Sequence, residues 1–174
     1  GTTIWWKPDN GSDTQTGATQ ARGVKTLQKA IDLATVLAAS DPIVIRSPST
    51  GSINGNFLLP TNVSLRAPNI RIMGSNATPT LCMGDNVRVL LDTIENPSTD
   101  GIALEYNNTV FSVVNANLIK ASTGTAPIAV NHIGTSKDCT LNCEKILSTG
   151  HSIVNKATVA QTFFTVNSLI VFFC

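Results

Sequence analysis

Charge is scarce in this sequence. Only 13% of its 174 residues are charged, and Lys+Arg 12 against Asp+Glu 11 leaves a formal charge of +1. A nucleic-acid binder neutralises phosphates with a cationic excess, so that class is excluded as the leading reading. Aromatics are also few, at 5%. Long hydrophobic runs are missing: the longest, Leu169 to Cys174, is far short of the roughly 20 apolar residues of a membrane-spanning helix. Cysteine is limited to Cys82, Cys139, Cys143 and Cys174. That is too sparse for a disulfide scaffold, and no second ligand pair completes a zinc site. The four thiols read as small buried hydrophobes. No GxGxxG, GxxxxGK[ST] or GxSxG motif occurs, so nothing points to dinucleotide, ATP or α/β-hydrolase chemistry, and no cofactor is expected.

Hydrophobic residues make up 42% of the chain, which argues against disorder. Val, Ile and Leu carry that mass, among abundant Asn, Thr, Ser and Gly. The mixture suits many short strands joined by tight turns. The length allows one domain with a short arm. The chain starts at Gly1 and reads as a piece of something longer. Four N-x-S/T sequons, at Asn10, Asn62, Asn76 and Asn107, are near the chance number for so Asn- and Thr-rich a sequence.

Residues 1–25 are polar apart from Ile4, Trp5 and Trp6, and read as an extended N-terminal arm. The two tryptophans either dock on the domain's own apolar surface or offer aromatic faces to a partner chain or a sugar. Residues 26–39 are predicted as a helix. Thr26 is its N-cap, Leu27, Ala30, Ile31, Ala34, Leu37 and Ala38 form one face, and Ser40-Asp41-Pro42 stops it. From 43 onward the pattern is of β-strands. Ile43-Val-Ile45, Phe57-Leu-Leu59, Asn62-Val-Ser-Leu65 and Asn69-Ile-Arg-Ile-Met73 are each bounded by turn residues.

The later part repeats. Leu91–Ile94, Ala116–Ile119, Cys143–Ile146 and Val166–Leu169 align at offsets of 25, 27 and 23 residues. Ile102–Leu104, Ile128–Val130 and Ile153–Val154 follow at 26 and 25. A third track joins Val110–Val113, Cys139–Leu141 and Phe163–Val166. Asn115, Asn142 and Asn167 recur at 27 and 25. Three short strands per repeat make one turn of a coil, and stacked coils bury a continuous core with like residue on like. An antiparallel sandwich is the other solution, but it turns every 8–12 residues and has no such period.

The segments Leu27 to Ala34, Pro42 to Ile45, Ser47 to Gly51 and Leu59 to Arg66 resemble the opening of pectate-lyase-like right-handed β-helix proteins. The resemblance covers residues 24–74 by motif and 75–171 by repeat texture. It implies an all-β fold: a right-handed, single-stranded parallel β-helix of about four to six coils over 43–174, capped by the short helix 26–39. That cap covers unpaired strand edges that would otherwise invite association. Within the superfamily, small, low-charge, Asn/Thr/Ser-rich domains behind a polar arm look most like viral attachment proteins, such as tailspikes. This implies a homotrimer on the virion surface, neighbouring other virion structural proteins and binding a host-surface polysaccharide. Nucleic acid and membrane insertion are not expected. The apolar tail with Phe172 and Phe173 also needs cover, which favours association of chains.

The acids are the candidates for chemistry. A hydrolase of this fold needs two carboxylates across a groove. Only Asp92 and Glu144 share a repeat position. Two coils apart, they would be separated by roughly 10 Å, at about 4.8 Å per coil, with Asn117 between them. Asp85 and Arg88 read as a turn and a surface cation, and His132 and His151 have no matched partner. No catalytic or metal-ligating residue is assigned. The aromatic and amide candidates for sugar contact are Tyr106, read as the best exposed aromatic, with Asn107 and Asn108, then Trp5 and Trp6. Binding is therefore placed ahead of a polysaccharide lyase or glycoside hydrolase, with a cellular adhesin as a further alternative.

Overall fold

Successive repeats lie directly on top of one another. The computed structural model describes residues 2–38, 41–159 and 164–173, the last two by backbone alone. In chain order the elements are β1 (Thr2–Trp5), α1 (Leu27–Leu37), β2 (Ile43–Arg46), β3 (Gly51–Asn54), β4 (Phe57–Leu59), β5 (Val63–Met73), β6 (Leu81–Met83), β7 (Arg88–Asn96), β8 (Ile102–Asn107), β9 (Val113–Ala121), β10 (Ile128–Gly134), β11 (Cys139–Ser148), β12 (His151–Ala157) and β13 (Phe164–Phe173). One sheet runs β1-β2-β5-β7-β9-β11-β13, with β3 also on β5; the other runs β12-β10-β8-β6-β4. Every ladder among the described residues is parallel. An antiparallel sandwich is thereby excluded. The architecture is a right-handed parallel β-helix of about four turns with one short helix near its N-terminus.

Inward positions stack like on like. Ile94 faces Ile119, which faces Ile146, and all three are fully buried. Each such side chain contributes about 1.5–3 kcal/mol by leaving water. The expected alignment of Leu91, Ala116 and Cys143 also holds, but Val166 sits over Leu141, and Ser168 is the residue over Cys143. Likewise His151, not Ile153, pairs with Ile128. Both differences are two-residue slips, which preserve the inward face. The predicted third strand does not stand alone: residues 110–112 form a corner and only Val113 enters a strand, while residues 139–141 and 164–166 open longer strands. Each runs on into the next repeat's first strand, giving the long strands β9, β11 and β13. Among the described residues only β5 breaks step, at a bulge between Ala67 and Arg71 that contains Pro68.

The coil corners use side chains. Asn96 is wholly buried. Its Nδ2 donates to the carbonyls of Asn76, Thr78 and Ile102, each at 2.9 Å, and its Oδ1 accepts from the Ser98 amide at 3.0 Å. Another corner places Asn62, Asn86, Phe111 and Asp138 in the left-handed region, at φ 63°, 53°, 58° and 53°. Asn and Asp tolerate that conformation; Phe does not.

Residues 2–25 are not a free arm. β1 forms the first rung on β2. Trp6 bridges to Val24, is fully buried, and donates Nε1–H to the Lys25 carbonyl at 3.1 Å. Asp13 accepts from the Lys25 and Thr26 amides, both at 2.8 Å. These bonds and that of the Thr26 hydroxyl hold its carboxyl below the usual range, against a desolvation that raises it. The polar composition that reads as an arm is turn chemistry serving the first coil. Helix α1 is capped as expected, Thr26 Oγ1 accepting from Lys29 N at 3.2 Å. It buries Leu27, Ala30, Ile31 and Ala34, whereas Leu37, expected on that face, is 43% exposed. Its predicted end falls on residues 39 and 40, outside the described ones. So do Phe163, Cys174 and the side chains of Phe172 and Phe173.

Candidate functional site

Regular stacking turns a strand position into a stripe along the axis. On the larger sheet, Trp5 pairs with Arg46, Arg46 with Arg66, Arg66 with Leu90, Leu90 with Asn115, Asn115 with Asn142 and Asn142 with Asn167. The first six each lie between two buried neighbours along their strand, such as Ile4 and Trp6, or Leu141 and Cys143, and Asn167 is itself exposed and bonded to Asn142. All seven therefore point outward. At about 4.8 Å per rung the stripe is roughly 29 Å long.

Its far half is an amide ladder. Asn167 Nδ2 donates to Asn142 Oδ1 at 2.8 Å, and Asn142 Nδ2 donates to Asn115 Oδ1 at 3.0 Å. Asn115 Nδ2 donates to the Val89 carbonyl at 3.3 Å. Each amide keeps further donor and acceptor capacity for a hydroxyl-rich ligand. Its near half is cationic. Arg46, Arg66 and Arg88 are exposed and, with Val44, Ser64 and Leu90, line a shallow cleft of about 290 Å³. Ser64 Oγ accepts from Arg88 N at 3.0 Å, pinning that strand start. Trp5 is half-buried and stands at the cleft's end of the stripe.

The predicted binding residues do not come together. Tyr106 is fully buried, contrary to its reading as exposed. Its hydroxyl donates to the Thr140 carbonyl at 3.0 Å, and its ring lies 5.8 Å from that of His132 and 5.4 Å from that of Phe164. Burial pushes its phenol well above the ordinary value. The ring fills the coil's interior, so it cannot present a face to a sugar. Asn108 is a corner residue at φ 55°, its Oδ1 accepting from the Thr135 amide at 2.9 Å. Asn107 is exposed beside it, within 3.5 Å of Glu105 Oε1. Trp6 belongs to the core, which leaves Trp5 as the outward tryptophan.

Asp92 and Glu144 do line up, with Asn117 level between them. The flanking pairs are Thr93 with Leu118 and Leu118 with Lys145. Asn117 Nδ2 donates to Asp92 Oδ1 at 2.9 Å, and Thr93 Oγ1 to Asp92 Oδ2 at 3.1 Å. Two coil steps make roughly 10 Å, just beyond the range for an inverting pair. An amide fills the place where the attacked sugar would sit. The thiols are no better suited to chemistry. Burial raises Cys82 and Cys143 to about 11 and Cys139 less far, and all three are free. Thiolate is scarce at such values.

The arginine cleft was missed in the sequence. Arg46 and Arg66 lie 20 residues apart, short of the later period. The available signal was the parallel ending of two strands, Ile43-Val-Ile-Arg46 and Val63-Ser-Leu-Arg66, each placing Arg on the face opposite its buried aliphatic pair, Ile43 and Ile45 or Val63 and Leu65.

No family model, no curated protein and no solved structure matches this chain.

Proposed function

We propose that this chain is the β-helix module of a virion spike or fibre that attaches to a host-surface glycan. The observation that carries the glycan reading is the unbroken outward stripe from Trp5 to Asn167, with its planar guanidinium, indole and amide groups. Such groups suit sugar rings and hydroxyls, and a rail of stacked rungs fixes their backbones, which limits the ordering cost on binding to the side chains. The likeness of a small, low-charge, Asn/Thr/Ser-rich β-helix domain to viral attachment proteins supports the virion surface, a homotrimer and neighbouring virion proteins.

Binding of the full chain to immobilised polysaccharides tests the attachment. Trp5→Ala and Asn142→Ala are expected to weaken the best binder, and Tyr106→Phe, altered only inside the coil, to leave it unchanged. Binding unaffected by both stripe variants overturns the stripe as the site. Light scattering coupled to size exclusion tests the assembly: three times 18.4 kDa is expected, and a single-chain mass overturns the trimer.

A further inference from the structure

We propose that the near half of the stripe selects an acidic polysaccharide, its arginines taking carboxylate or sulfate groups on successive sugars. This rests on the glycan-attachment reading above and names the chemistry of its ligand. The chain has five arginines, and three of them line one cleft. Arg46 stands directly over Arg66, one coil step apart. Arg88 enters from the next coil two positions before the stripe, level with Ser64, since Leu65 pairs with Val89 and Arg66 with Leu90. Like charges facing each other across a ladder are destabilising. Elsewhere the fold relieves such a charge: Arg71 pairs with Glu95, and Lys120 lies 4.0 Å from the same carboxylate. In the cleft, among the described residues, no carboxylate pairs with any of the three guanidiniums. An uncompensated cationic column in a chain so poor in charge is complementary to an anion.

The surroundings fit a sugar acid. Val44 and Leu90 are half-buried and give the cleft an apolar floor. A pyranose ring can lie on that floor while its carboxylate or sulfate meets a guanidinium fork, which binds such planar or trigonal groups bidentately. Trp5 is paired one rung beyond Arg46 on one side, and Asn115 begins the amides on the other. A pyranose is close to one coil step in length, so a chain charged at each sugar keeps pace with the rungs. A nucleic acid fits worse, because backbone neutralisation needs more cations than these three.

The test uses the full chain with polygalacturonate and dextran sulfate as charged probes and dextran as the neutral one. Arg46→Gln/Arg66→Gln/Arg88→Gln is compared with Lys137→Gln/Lys145→Gln/Lys156→Gln, which removes equal charge from exposed positions outside the cleft. Thermal melting checks that both variants fold. The arginine variant is expected to weaken charged-probe binding about tenfold or more, at roughly 0.5–1 kcal/mol per exposed contact. The lysine variant should stay within about twofold. The two charged probes tell carboxylate from sulfate. Equal losses in both variants, or competition by duplex DNA at equal charge as strong as by the glycans, overturns the proposal. Binding of dextran that ignores the three arginines also overturns it, yet leaves the attachment reading standing. Failure to bind any of the three polymers removes both.

Discussion

Asn142 accepts a hydrogen bond from Asn167 at 2.8 Å and passes one to Asn115 at 3.0 Å. The three amides form a ladder parallel to the backbone ladder beneath them. Asn142→Ala removes both rungs, and Asn115 Oδ1 and Asn167 Nδ2, near the surface, turn to water instead. A stability loss of about 0.5–1.5 kcal/mol is expected. At this size it should read as a fall of roughly 1–6 °C in Tm by circular dichroism. An unchanged Tm would show that the ladder contributes nothing to stability.

Phe111 is the misfit of its corner. It takes φ 58° where the equivalent positions are Asn62, Asn86 and Asp138, and its side chain is 63% exposed. Phe111→Asn relieves left-handed strain and restores the column's residue type. It is expected to stabilise by about 1 kcal/mol. Urea denaturation gives the value, and a destabilised variant would mean that the ring is packed in the folded chain.

His132 makes the fold sensitive to acid. It is fully buried, and its ring stacks on Phe164 at 4.2 Å. Its Nδ1 bonds Asn155 Oδ1 at 2.9 Å, while Nε2 has no partner among the described residues. Burial lowers its pKa below the ordinary 6.5, partly offset by Asn155. As pH falls through 6.5 the unfolded chain takes up the proton first. Stability is therefore full above that pH and declines below it, until the folded state also titrates. His132→Phe keeps an aromatic ring against Phe164 and removes the proton. Its Tm between pH 7.5 and 5 should fall less than the wild type's; parallel profiles would assign the acid sensitivity elsewhere.

Asp92 and Glu144 decide between binding and hydrolysis. Incubation with the bound polysaccharide is expected to release no new reducing ends, and Asp92→Asn/Glu144→Gln to bind as well as the wild type. Cleavage that the double variant abolishes would make the chain a glycosidase.

The fold could be read wherever like stacks on like. Ile94, Ile119 and Ile146 sit at matching places, and so do the three ladder asparagines, because each inward or paired position sees its own kind one coil away. Register at the C-terminal coil could not be read to the residue, since a two-residue slip buries the same face. The first coil was hidden for a different reason. Its polar residues, Asp13 and Thr26 among them, spend their hydrogen bonds on backbone amides, which composition alone does not reveal. Tyr106 looked exposed because Asn107 and Asn108 follow it, yet those two begin a corner and the ring lies one step inside. The arginine cleft depends on a neighbourhood across coils of unequal length, and only the pairing of Arg46 with Arg66 brings it together.

Because each rung leans only on the rungs beside it, this molecule is a quasi-one-dimensional object. Its stability is a sum of local steps and couplings between neighbours, and a weakened coil in the middle divides it into two blocks that melt separately. Fraying at either end shortens the rail without disturbing what remains. Contact with a ligand that spans several rungs would tie those blocks together, so that occupancy of the stripe and cooperative melting rise as one quantity.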